Sequence, residues 1–352
     1  MSYKGCVTIP AYNASATIGE VVKGVQAHIP KVIVADDGST DNTGIVAYEA
    51  GSEVIRIEKN KGKGNALKVL FWRAFEEGYD AVITMDADGQ HDPQDIQRFI
   101  DAHALHPDSI IVGSRMHEKE KIPRARYNSM HIARFYISLA ANQFVEDTQC
   151  GFRLYPVSLL KKMLLMTEKY VTETEVLMKA GDMGVRIRFV KIRAIYNGIG
   201  SHFRPIADVT HITAYVISYL YIKWFIEGFT SDAPNTYSGG RYLRDLVNKN
   251  RTCDVFFQGF TALTALPVTV FFLLEYLFLR RVIGNNFASV RRLNCGFAKI
   301  THATHMLPVI LIVAITEKFF TTQCFRLELV DKFIRKFYPF LWSKGETENH
   351  ST

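Results

Sequence analysis

The sequence predicts an α/β fold in which a mainly parallel sheet is covered by helices on both faces. Over the first two hundred residues, short runs rich in β-branched residues alternate with amphipathic segments of helix length. This alternation is typical of parallel sheets, because each parallel connection needs a crossover that is usually a helix. A polar loop follows every predicted strand. The length of 352 residues allows either one large domain with an appendage or two domains.

Five strands and five helices are predicted in alternation. The strands are GCVTIP, KVIVAD, SEVIRI, DAVITMD and SIIVGS, and the helices lie near residues 15 to 28, 42 to 50, 63 to 77, 93 to 105 and 127 to 144. Parallel sheets bind ligands beyond the carboxyl ends of their strands. The loops PAYN, DDGSTDNT, NKGKGN, DADGQHDP and GSR follow the five strands in that order, so we expect all five to face one crevice.

The loop after the fourth strand carries two aspartates separated by one residue. In a regular strand Asp86 and Asp88 would point to the same side, because side chains alternate with a period of two. Oxygen ligands favour a hard cation such as Mg²⁺ or Mn²⁺, and Gln90 can add a carbonyl oxygen. A metal there would neutralise charge on a departing nucleoside diphosphate. The alternative is a pair of solvated loop acids, and we assign His91 and Pro93 only to the turn and the helix start.

The second and third loops are each open to two interpretations. NKGKGNALK places glycines with Lys61 and Lys63 at a predicted helix N-terminus, where backbone N–H groups and positive charge form an anion site that suits a diphosphate. A plain glycine turn before a helix is the alternative. DDGSTDNT can equally be a glycine-containing turn in which Asp41 caps the next helix.

Charge is unevenly distributed along the chain. Up to His202 there are 25 Lys and Arg against 24 Asp and Glu, and after it there are 17 against 11. A basic C-terminal part favours an anionic membrane surface or lipid phosphate over nucleic acid, since no basic and aromatic RNA-reading motif is present. The five cysteines show neither a CxxC pair nor metal-ligand spacing, and the first residues lack a signal-peptide pattern. We therefore expect reduced thiols and catalysis on the cytosolic side.

The C-terminal part is predicted to be helical and associated with a membrane. Residues 208 to 228 show helical spacing of apolar side chains, which suits an interfacial amphipathic helix or one packed on the preceding domain. Residues 255 to 279 form an apolar run that is long enough to cross a bilayer core of roughly 30 Å. Basic clusters flank this run on both sides, so a monotopic or re-entrant hairpin competes with two spans. The expected segments are a catalytic domain over 1–205, amphipathic helices and a linker over 206–252, a hydrophobic and basic helical region over 253–344, and a disordered tail over 345–352.

Taken together, these motifs resemble glycosyltransferase family 2. IPAYN, ADDGSTDNT, NKGKGNAL, DADGQHDP, GSR and DTQCGFRLY occur in the family's order across roughly residues 5 to 156, and TETEVLMKAGDMGVRIRFVKI and SHFRP extend the resemblance. The resemblance implies a GT-A domain, which is a Rossmann-like fold. Within the family, the sequence is similar to the branch that transfers a sugar from GDP-mannose or a UDP-sugar to a polyprenyl phosphate.

The resemblance also implies roles for residues in each loop. It implies a nucleotide-sugar pocket formed by Pro10, Tyr12, Asn13, Asp37, Gly38, Ser39, Lys63, Asp86 and Ala87. Asp86 and Asp88 match the family's DXD element, and Gln90 matches a further metal ligand. Arg115 and Arg126 would face the acceptor phosphate, for which the bidentate fork of arginine is suited. The alternative for both arginines is a solvated basic loop.

The predicted function is that of an inverting hexosyltransferase that uses Mg²⁺ or Mn²⁺ and glycosylates a polyprenyl phosphate at the cytosolic face of a membrane. Asp88 would act at the leaving-group end, and an ionised lipid phosphate would need no strong base. A sugar hydroxyl acceptor would need one, and the resemblance makes Glu173 and Glu175 the candidates; helix capping and dipole stabilisation are the alternative. Two rivals remain, namely transfer to a glycan or lipid-linked sugar hydroxyl and a non-catalytic nucleotide-sugar-binding scaffold. Formation of a homo-oligomer is left open.

Overall fold

The computed structural model describes residues 4–122, 130, 133, 134, 136–193, 195, 212, 215, 216, 219, 220 and 223. The chain divides into two compact units. The first contains residues 1–137 and 145–213, and the second contains residues 138–144 and 214–352. The predicted sheet and its loops belong to the first unit.

Seven strands form a single mixed sheet in the described part of the first unit. They are β1 (Gly5–Ala11), β2 (Val32–Asp37), β3 (Glu53–Ile57), β4 (Ala81–Thr84), β5 (Ile110–Ser114), β6 (Arg153–Pro156) and β7 (Ile187–Lys191). Their order across the sheet is β3-β2-β1-β4-β6-β5-β7. Strand β6 is antiparallel to both of its neighbours, and the other pairs are parallel. The predicted mainly parallel α/β sheet and its first five strands are confirmed.

Six of the helices in the described part of the chain surround or flank this sheet. They are α1 (Ile18–Gln26), α2 (Thr43–Glu49), α3 (Lys63–Glu76), α4 (Ile96–Leu105), α5 (Val157–Leu160) and α6 (Val171–Asp182), and short 3-10 turns span Pro93–Asp95 and Met116–Lys121. The first four match predicted helices, with the 3-10 turn at Pro93 replacing the start of the fourth. Of the helix predicted over residues 127 to 144, the described residues 130, 133, 134 and 136–140 are helical, and residues 141–144 are not.

The sequence did not predict β6, β7 or α5, and a helix at the position of α6 entered only through the alternative interpretation of Glu173 and Glu175. Strand β6 is only four residues long, and its partners are β4 and β5 rather than the next strand along the chain. Because β6 has only the four residues RLYP and begins with an arginine, it shows no apolar periodicity that would indicate a strand. Strand β7 has the sequence IRFVK, in which charged residues interrupt the apolar pattern, and its burial is correspondingly incomplete.

The core of the first unit lies between the sheet and the helices. All of the residues of β2 and β5 are buried, which is expected of strands that are covered on both faces. Pro10 lies within β1, a central strand, where proline is unusual because it lacks an N–H donor. β4 pairs with β1 only as far as Thr8, so Pro10 occupies the part of β1 that extends beyond β4.

The described residues of the second unit are few. Tyr215 and Tyr219 are helical, four residues apart, and their ring centroids lie 6.2 Å from each other. Val216 and Leu220 share the same spacing and are both buried. The predicted helical region over 253–344 and the tail over 345–352 lie outside the described residues, and so does most of the segment 206–252. In the part of the chain that the structure describes, no helix has both the length and the hydropathy needed to cross a bilayer.

Candidate active site

The loops after β1 and β2 are joined by hydrogen bonds. The Asn13 N–H donates to Ser39 Oγ (3.0 Å), and Asn13 Oδ1 accepts from the Thr40 N–H (2.8 Å). Asp41 accepts from the N–H groups of Ser15 (3.1 Å) and Thr43 (3.0 Å). Burial alone would raise the pKa of Asp41, but these donors outweigh it and lower the pKa to about 2. Asp41 therefore accepts from the first N–H of α2 and ties the loop after β2 to the loop after β1.

The two aspartates at the end of β2 hold the neighbouring loops. Asp37 is buried, and its carboxylate accepts from the N–H groups of Lys61 (3.0 Å) and Gly62 (2.7 Å). Asp36 is fully buried and forms an ion pair with Arg56. Gly38 has a φ of +72°, and a Cβ there would lie 2.5 Å from the backbone nitrogen of Asn60. Asp37 and Gly38 thus shape the loop that precedes Lys63, and the contact of Asp37 with a base or ribose stays a prediction.

Lys63 lies between two carboxylates at the N-terminus of α3. Its Nζ is 2.6 Å from Asp86 Oδ1 and 3.1 Å from Glu173 Oε2. Burial alone would lower the pKa of Lys63, but the charges of Asp86 and Glu173 raise it above its ordinary value. The ammonium group is therefore permanently charged, and 17% of the side chain remains accessible. The structure brings together a predicted diphosphate contact, a predicted metal ligand and a predicted base.

Asp86 is further positioned by His91, to which sequence reasoning gave no chemical role. His91 Nδ1 accepts from the Asp86 N–H (3.4 Å), and His91 Nε2 lies 4.0 Å from Asp86 Oδ2. Burial lowers the pKa of His91 to about 4, so the ring is neutral near pH 7. Burial would raise the pKa of Asp86, but the charges of Lys63 and the surrounding groups hold it well below its ordinary value. Asp86 is therefore ionised.

Gly151 lies directly against the Asp86 carboxylate. A Cβ at position 151 would be 2.5 Å from Asp86 Oδ1 and 2.7 Å from Asp86 Cγ, which is closer than real Cβ contacts. The Gly151 carbonyl accepts from the Thr84 hydroxyl (2.8 Å), which fixes the backbone at this point. Only a residue without a side chain allows the segment before β6 to approach Asp86 in this way.

Arg115 follows β5 and is paired with Asp147. Its Nε donates to Asp147 Oδ2 (2.9 Å) and its Nη2 donates to Asp147 Oδ1 (3.1 Å), and both side chains are buried. Burial would raise the pKa of Asp147, but Arg115 lowers it. The alternative of a solvated basic loop is therefore wrong for Arg115. Arg126 lies outside the described residues.

Glu173 and Glu175 differ in their contacts although both belong to α6. Glu173 lies in the first helical turn and contacts Lys63. The Glu175 carboxylate instead accepts from the N–H groups of Met166 (3.0 Å) and Thr167 (2.9 Å), and it pairs with Lys179 (2.7 Å). Burial would raise the pKa of Glu175, but these donors lower it. Glu175 therefore stabilises the segment that precedes α6, rather than capping the helix that contains it.

The remaining predicted residues lie in β1, in the loop after β1 and in the loop after β4. Pro10 is buried within β1, and Tyr12 and Asn13 are half-buried in the loop that follows. The carbonyl of the buried Ala87 accepts from the hydroxyl of Thr17, which precedes α1 (2.6 Å). Asp88 and Gln90 are half-buried, and Asp88 Oδ1 accepts from the Gln90 N–H (3.0 Å).

Comparison with known proteins places this site in a family. Residues 6–165 match the family model described as glycosyl transferase family 2. The chain is also 33% identical over 211 residues to the UDP-N-acetylglucosamine–dolichyl-phosphate N-acetylglucosaminyltransferase of Methanococcus voltae, with 53% of this chain and 84% of that protein covered.

The chain belongs to glycosyltransferase family 2. It is related to sugar transferases that act on polyprenyl phosphates, as a second relative also shows. The polyprenol monophosphomannose synthase of Mycolicibacterium smegmatis is 30% identical over 173 residues, which cover 45% of this chain and 63% of that protein. A solved mycobacterial structure superimposes with a TM-score of 0.50 at 21% identity, covering 63% of this chain and 74% of the other, and this supports the GT-A-like fold.

The donor set of this family 2 site suits a hard divalent cation. Asp86, Asp88 and Gln90 offer oxygen atoms only, which is the chemistry that Mg²⁺ and Mn²⁺ prefer. No group of three or more His, Cys, Asp and Glu side chains able to hold a metal occurs among the described residues. Mg²⁺ is commonly bound by one or two carboxylates together with substrate phosphates and water. Two carboxylates and an amide oxygen therefore fit a metal ion that is also coordinated by the diphosphate of the substrate.

Several residues that organise the site were not among those predicted. They are Asp36, Arg56, His91, Asp147, Gly151 and Arg153. The motif DTQCGFRLY contained three of them, and its position just before β6 was the available signal. His91 lies five residues from its partner Asp86. The partners of Arg56, Asp147 and Gly151 are more distant in the sequence, so spacing alone could not have indicated which residue contacts which.

Proposed function

We propose that this family 2 glycosyltransferase moves a hexose from a nucleoside diphosphate sugar to a polyprenyl phosphate, with inversion at the anomeric carbon and with Mg²⁺ or Mn²⁺ as cofactor. The observation that carries the proposal is the placement of Lys63 between Asp86 and Glu173, with a 2.6 Å contact to Asp86. A permanently charged, partly accessible ammonium beside two carboxylates is suited to hold a cation–diphosphate complex.

The leaving-group end of the reaction is assigned to Lys63, Asp86, Asp88 and Gln90. Asp86, Asp88 and Gln90 would hold the metal, which when bound supplies Lewis-acid neutralisation of the departing diphosphate. Lys63 would donate to a diphosphate oxygen, since it lies at the N-terminus of α3 where N–H groups also favour anions. Asp37 and Gly38 shape the backbone that leads to Lys63, and Asn13 and Ser39 join the loops on the nucleotide side.

The assignment of a lipid phosphate as acceptor is supported by the states of the two candidate bases. Glu173 is engaged by Lys63, and Glu175 is engaged by donors from residues 166, 167 and 179. Neither is therefore suited to take a proton from a sugar hydroxyl. A phosphate acceptor is already ionised near neutral pH and can attack without a strong base. The names of the M. voltae and M. smegmatis relatives point to the same class of acceptor.

The acceptor phosphate would be bound from the side of Arg115 and Arg126. Arg115 is held by Asp147 through two hydrogen bonds, so its guanidinium is fixed in place before any ligand binds. A fixed guanidinium loses little entropy when it binds a phosphate, which favours affinity. We also propose that the enzyme works at the cytosolic face of a membrane, where both a nucleotide sugar and the phosphate of a polyprenyl lipid are accessible.

The test is transfer from a panel of radiolabelled nucleotide sugars. GDP-mannose, UDP-glucose and UDP-N-acetylglucosamine would each be incubated with polyprenyl phosphate, the free polyprenol or a soluble glycan acceptor, and the products would be extracted into organic solvent. We expect organic-soluble label only with polyprenyl phosphate. Label in the polyprenol or glycan samples would favour transfer to a hydroxyl, and the absence of turnover with every pair would favour a non-catalytic scaffold.

A further inference from the structure

Arg153 is a buried arginine without a carboxylate partner among the described residues. It is the first residue of β6, and its side chain is among the largest that are fully buried. Burial of a guanidinium away from water is unfavourable unless its donors are satisfied. The proposed reaction assigns no role to Arg153, and the contacts of its guanidinium indicate what that role is.

Carbonyl groups from two separate segments satisfy this guanidinium. Nε donates to the Cys150 carbonyl (2.6 Å) and Nη2 donates to the Thr148 carbonyl (2.9 Å). Nη1 donates to the Glu173 carbonyl (2.9 Å) and lies 3.4 Å from the Tyr155 hydroxyl. The planar fork of arginine can reach both segments at once, whereas a lysine ammonium is a single point. Arg153 thus joins the 147–151 segment to the first turn of α6.

Both segments contribute groups to the candidate active site. The 147–151 segment contains Asp147, which holds Arg115, and Gly151, which lies against Asp86. The first turn of α6 contains Glu173, whose carboxylate contacts Lys63. The position of Glu173 relative to Asp86 therefore depends on how the two segments are joined.

The positive charge of Arg153 also contributes to the charge balance of the candidate active site. Burial alone would lower the pKa of Arg153, but the neighbouring Tyr155 and Glu173 raise it above its ordinary value. Counting formal charges, Asp86, Asp147 and Glu173 are balanced by Lys63, Arg115 and Arg153. The hydrogen bonds of this guanidinium fix the backbone at Glu173.

We propose that Arg153 is a positioning residue for sugar transfer, which acts by fixing Glu173 against Lys63. The proposal rests on the proposed function, because that function assigns the diphosphate to Lys63 and the metal to Asp86. Arg153 itself touches neither substrate nor metal. Its effect on catalysis passes through Glu173 and through the segment that contacts Asp86.

The test is a double-mutant cycle between Arg153→Lys and Glu173→Gln. Lysine retains the charge but cannot reach all three carbonyls, and we expect a loss in kcat/KM for the nucleotide sugar on the order of 10²-fold, the size associated with small misplacements of reacting groups. If Arg153 acts through Glu173, the double variant will lose at least about tenfold less than the product of the two single losses. A loss equal to that product would overturn the proposal, and so would an Arg153→Lys variant with unchanged kcat/KM.

Glu175→Gln provides the matched control for this cycle. Glu175 lies on the same helix as Glu173, but its carboxylate binds residues 166 and 167 rather than Lys63. We expect the losses of Arg153→Lys and Glu175→Gln to multiply. Coupling of the same size to Glu175 would show a general weakening of α6 and would contradict the specific role of Arg153.

Stability must be measured on the same samples. Thermal unfolding of each variant separates loss of fold from loss of position, and Tyr155→Phe serves as a milder variant if Arg153→Lys does not fold. That change removes the hydroxyl beside Nη1 and keeps the ring, and we expect a drop in kcat/KM that is likewise coupled to Glu173→Gln. If the wild-type protein transfers no sugar at all, the proposed function fails. The same double-mutant cycle is then measured on the affinity for GDP or UDP in the presence of Mn²⁺. Absence of coupling between Arg153→Lys and Glu173→Gln in that affinity would reject the role of Arg153 independently.

Discussion

The backbone of Gly151 lies against the carboxylate of Asp86, so closely that a Cβ at position 151 would be 2.5 Å from Asp86 Oδ1. The two residues belong to different strand ends, because Asp86 follows β4 and Gly151 precedes β6. The antiparallel strand thus brings a glycine to the carboxyl ends of the parallel strands, where it limits the positions that Asp86 can adopt.

Gly151→Ala is expected to displace Asp86 and to impair transfer more than it impairs folding. The added methyl group would force the Asp86 carboxylate away from Lys63, and we expect a loss in kcat/KM on the order of 10²-fold. Gly184→Ala is the control, because Gly184 has a φ of +71° but no atom within 4 Å of an added Cβ. That variant should lose about 1 kcal/mol of stability and keep its kcat/KM. Equal kcat/KM for Gly151→Ala and the wild type would contradict the assignment of Asp86.

Lys63→Met should weaken the binding of a nucleoside diphosphate. The substitution keeps an unbranched side chain but removes the charge between Asp86 and Glu173. We expect the affinity for GDP or UDP to fall about tenfold or more, the size of one lost hydrogen bond to a charged group. Isothermal titration calorimetry measures the change, with Lys68→Met, five residues further along α3, as the control. Similar affinities for the two variants would show that Lys63 is not a diphosphate ligand.

Asp147→Asn should destabilise the protein and weaken binding of the lipid acceptor. It removes the charge that compensates the buried guanidinium of Arg115, and breaking such a pair costs about 3 kcal/mol or more. Because Arg115 would also lose its fixed orientation, the KM for polyprenyl phosphate should rise more than the KM for the nucleotide sugar. Glu146→Gln, at the neighbouring position, is the control for both measurements. A rise confined to the KM of the nucleotide sugar would place Arg115 on the donor side instead.

Asp41→Asn should change the pH dependence of stability. The folded-state pKa of Asp41 is lowered from its ordinary value of 3.8 to about 2, so its ionised form stabilises the fold above pH 4, and this contribution is lost as the pH falls towards 2. Asp41 is exposed, so we expect a decrease in the free energy of unfolding of only about 1 kcal/mol at pH 7, and a smaller decrease at pH 3. Denaturant unfolding at both pH values measures the difference, with the exposed Asp101→Asn on α4 as the control. An equal decrease at pH 7 and pH 3 would reject the assignment.

The parts of the fold that were predictable from sequence are those in which neighbouring residues carry the signal. Strands β1 to β5 were recognisable because each is a short run rich in β-branched residues followed at once by a polar loop. The location of Asp86 and Asp88 at a strand end followed from the same local pattern. The family was recognisable from the order of the loops, since the motifs retain their spacing along the chain.

The pairing of charges within the site was not predictable because it depends on distant residues. Lys63 and Glu173 are 110 positions apart, and Arg115 and Asp147 are 32 apart. Glu173 and Glu175 looked equivalent in the sequence, but two positions along a helix turn the side chains to different directions. His91 was assigned only to a turn, because its contact with Asp86 exists only once the loop has folded.

The central claim is that a hexose is transferred from a nucleoside diphosphate sugar to the phosphate of a polyprenyl lipid with the help of a metal at Asp88. It is tested most directly by quantifying the nucleoside diphosphate released and the glycosylated polyprenyl phosphate formed, with and without Mn²⁺, for the wild type, Asp88→Ala and the control Asp101→Ala. We predict equal amounts of the two products for the wild type and for Asp101→Ala, only when Mn²⁺ is present, and neither product for Asp88→Ala. Full turnover by Asp88→Ala, or release of nucleoside diphosphate without glycosylated lipid phosphate, would contradict the account.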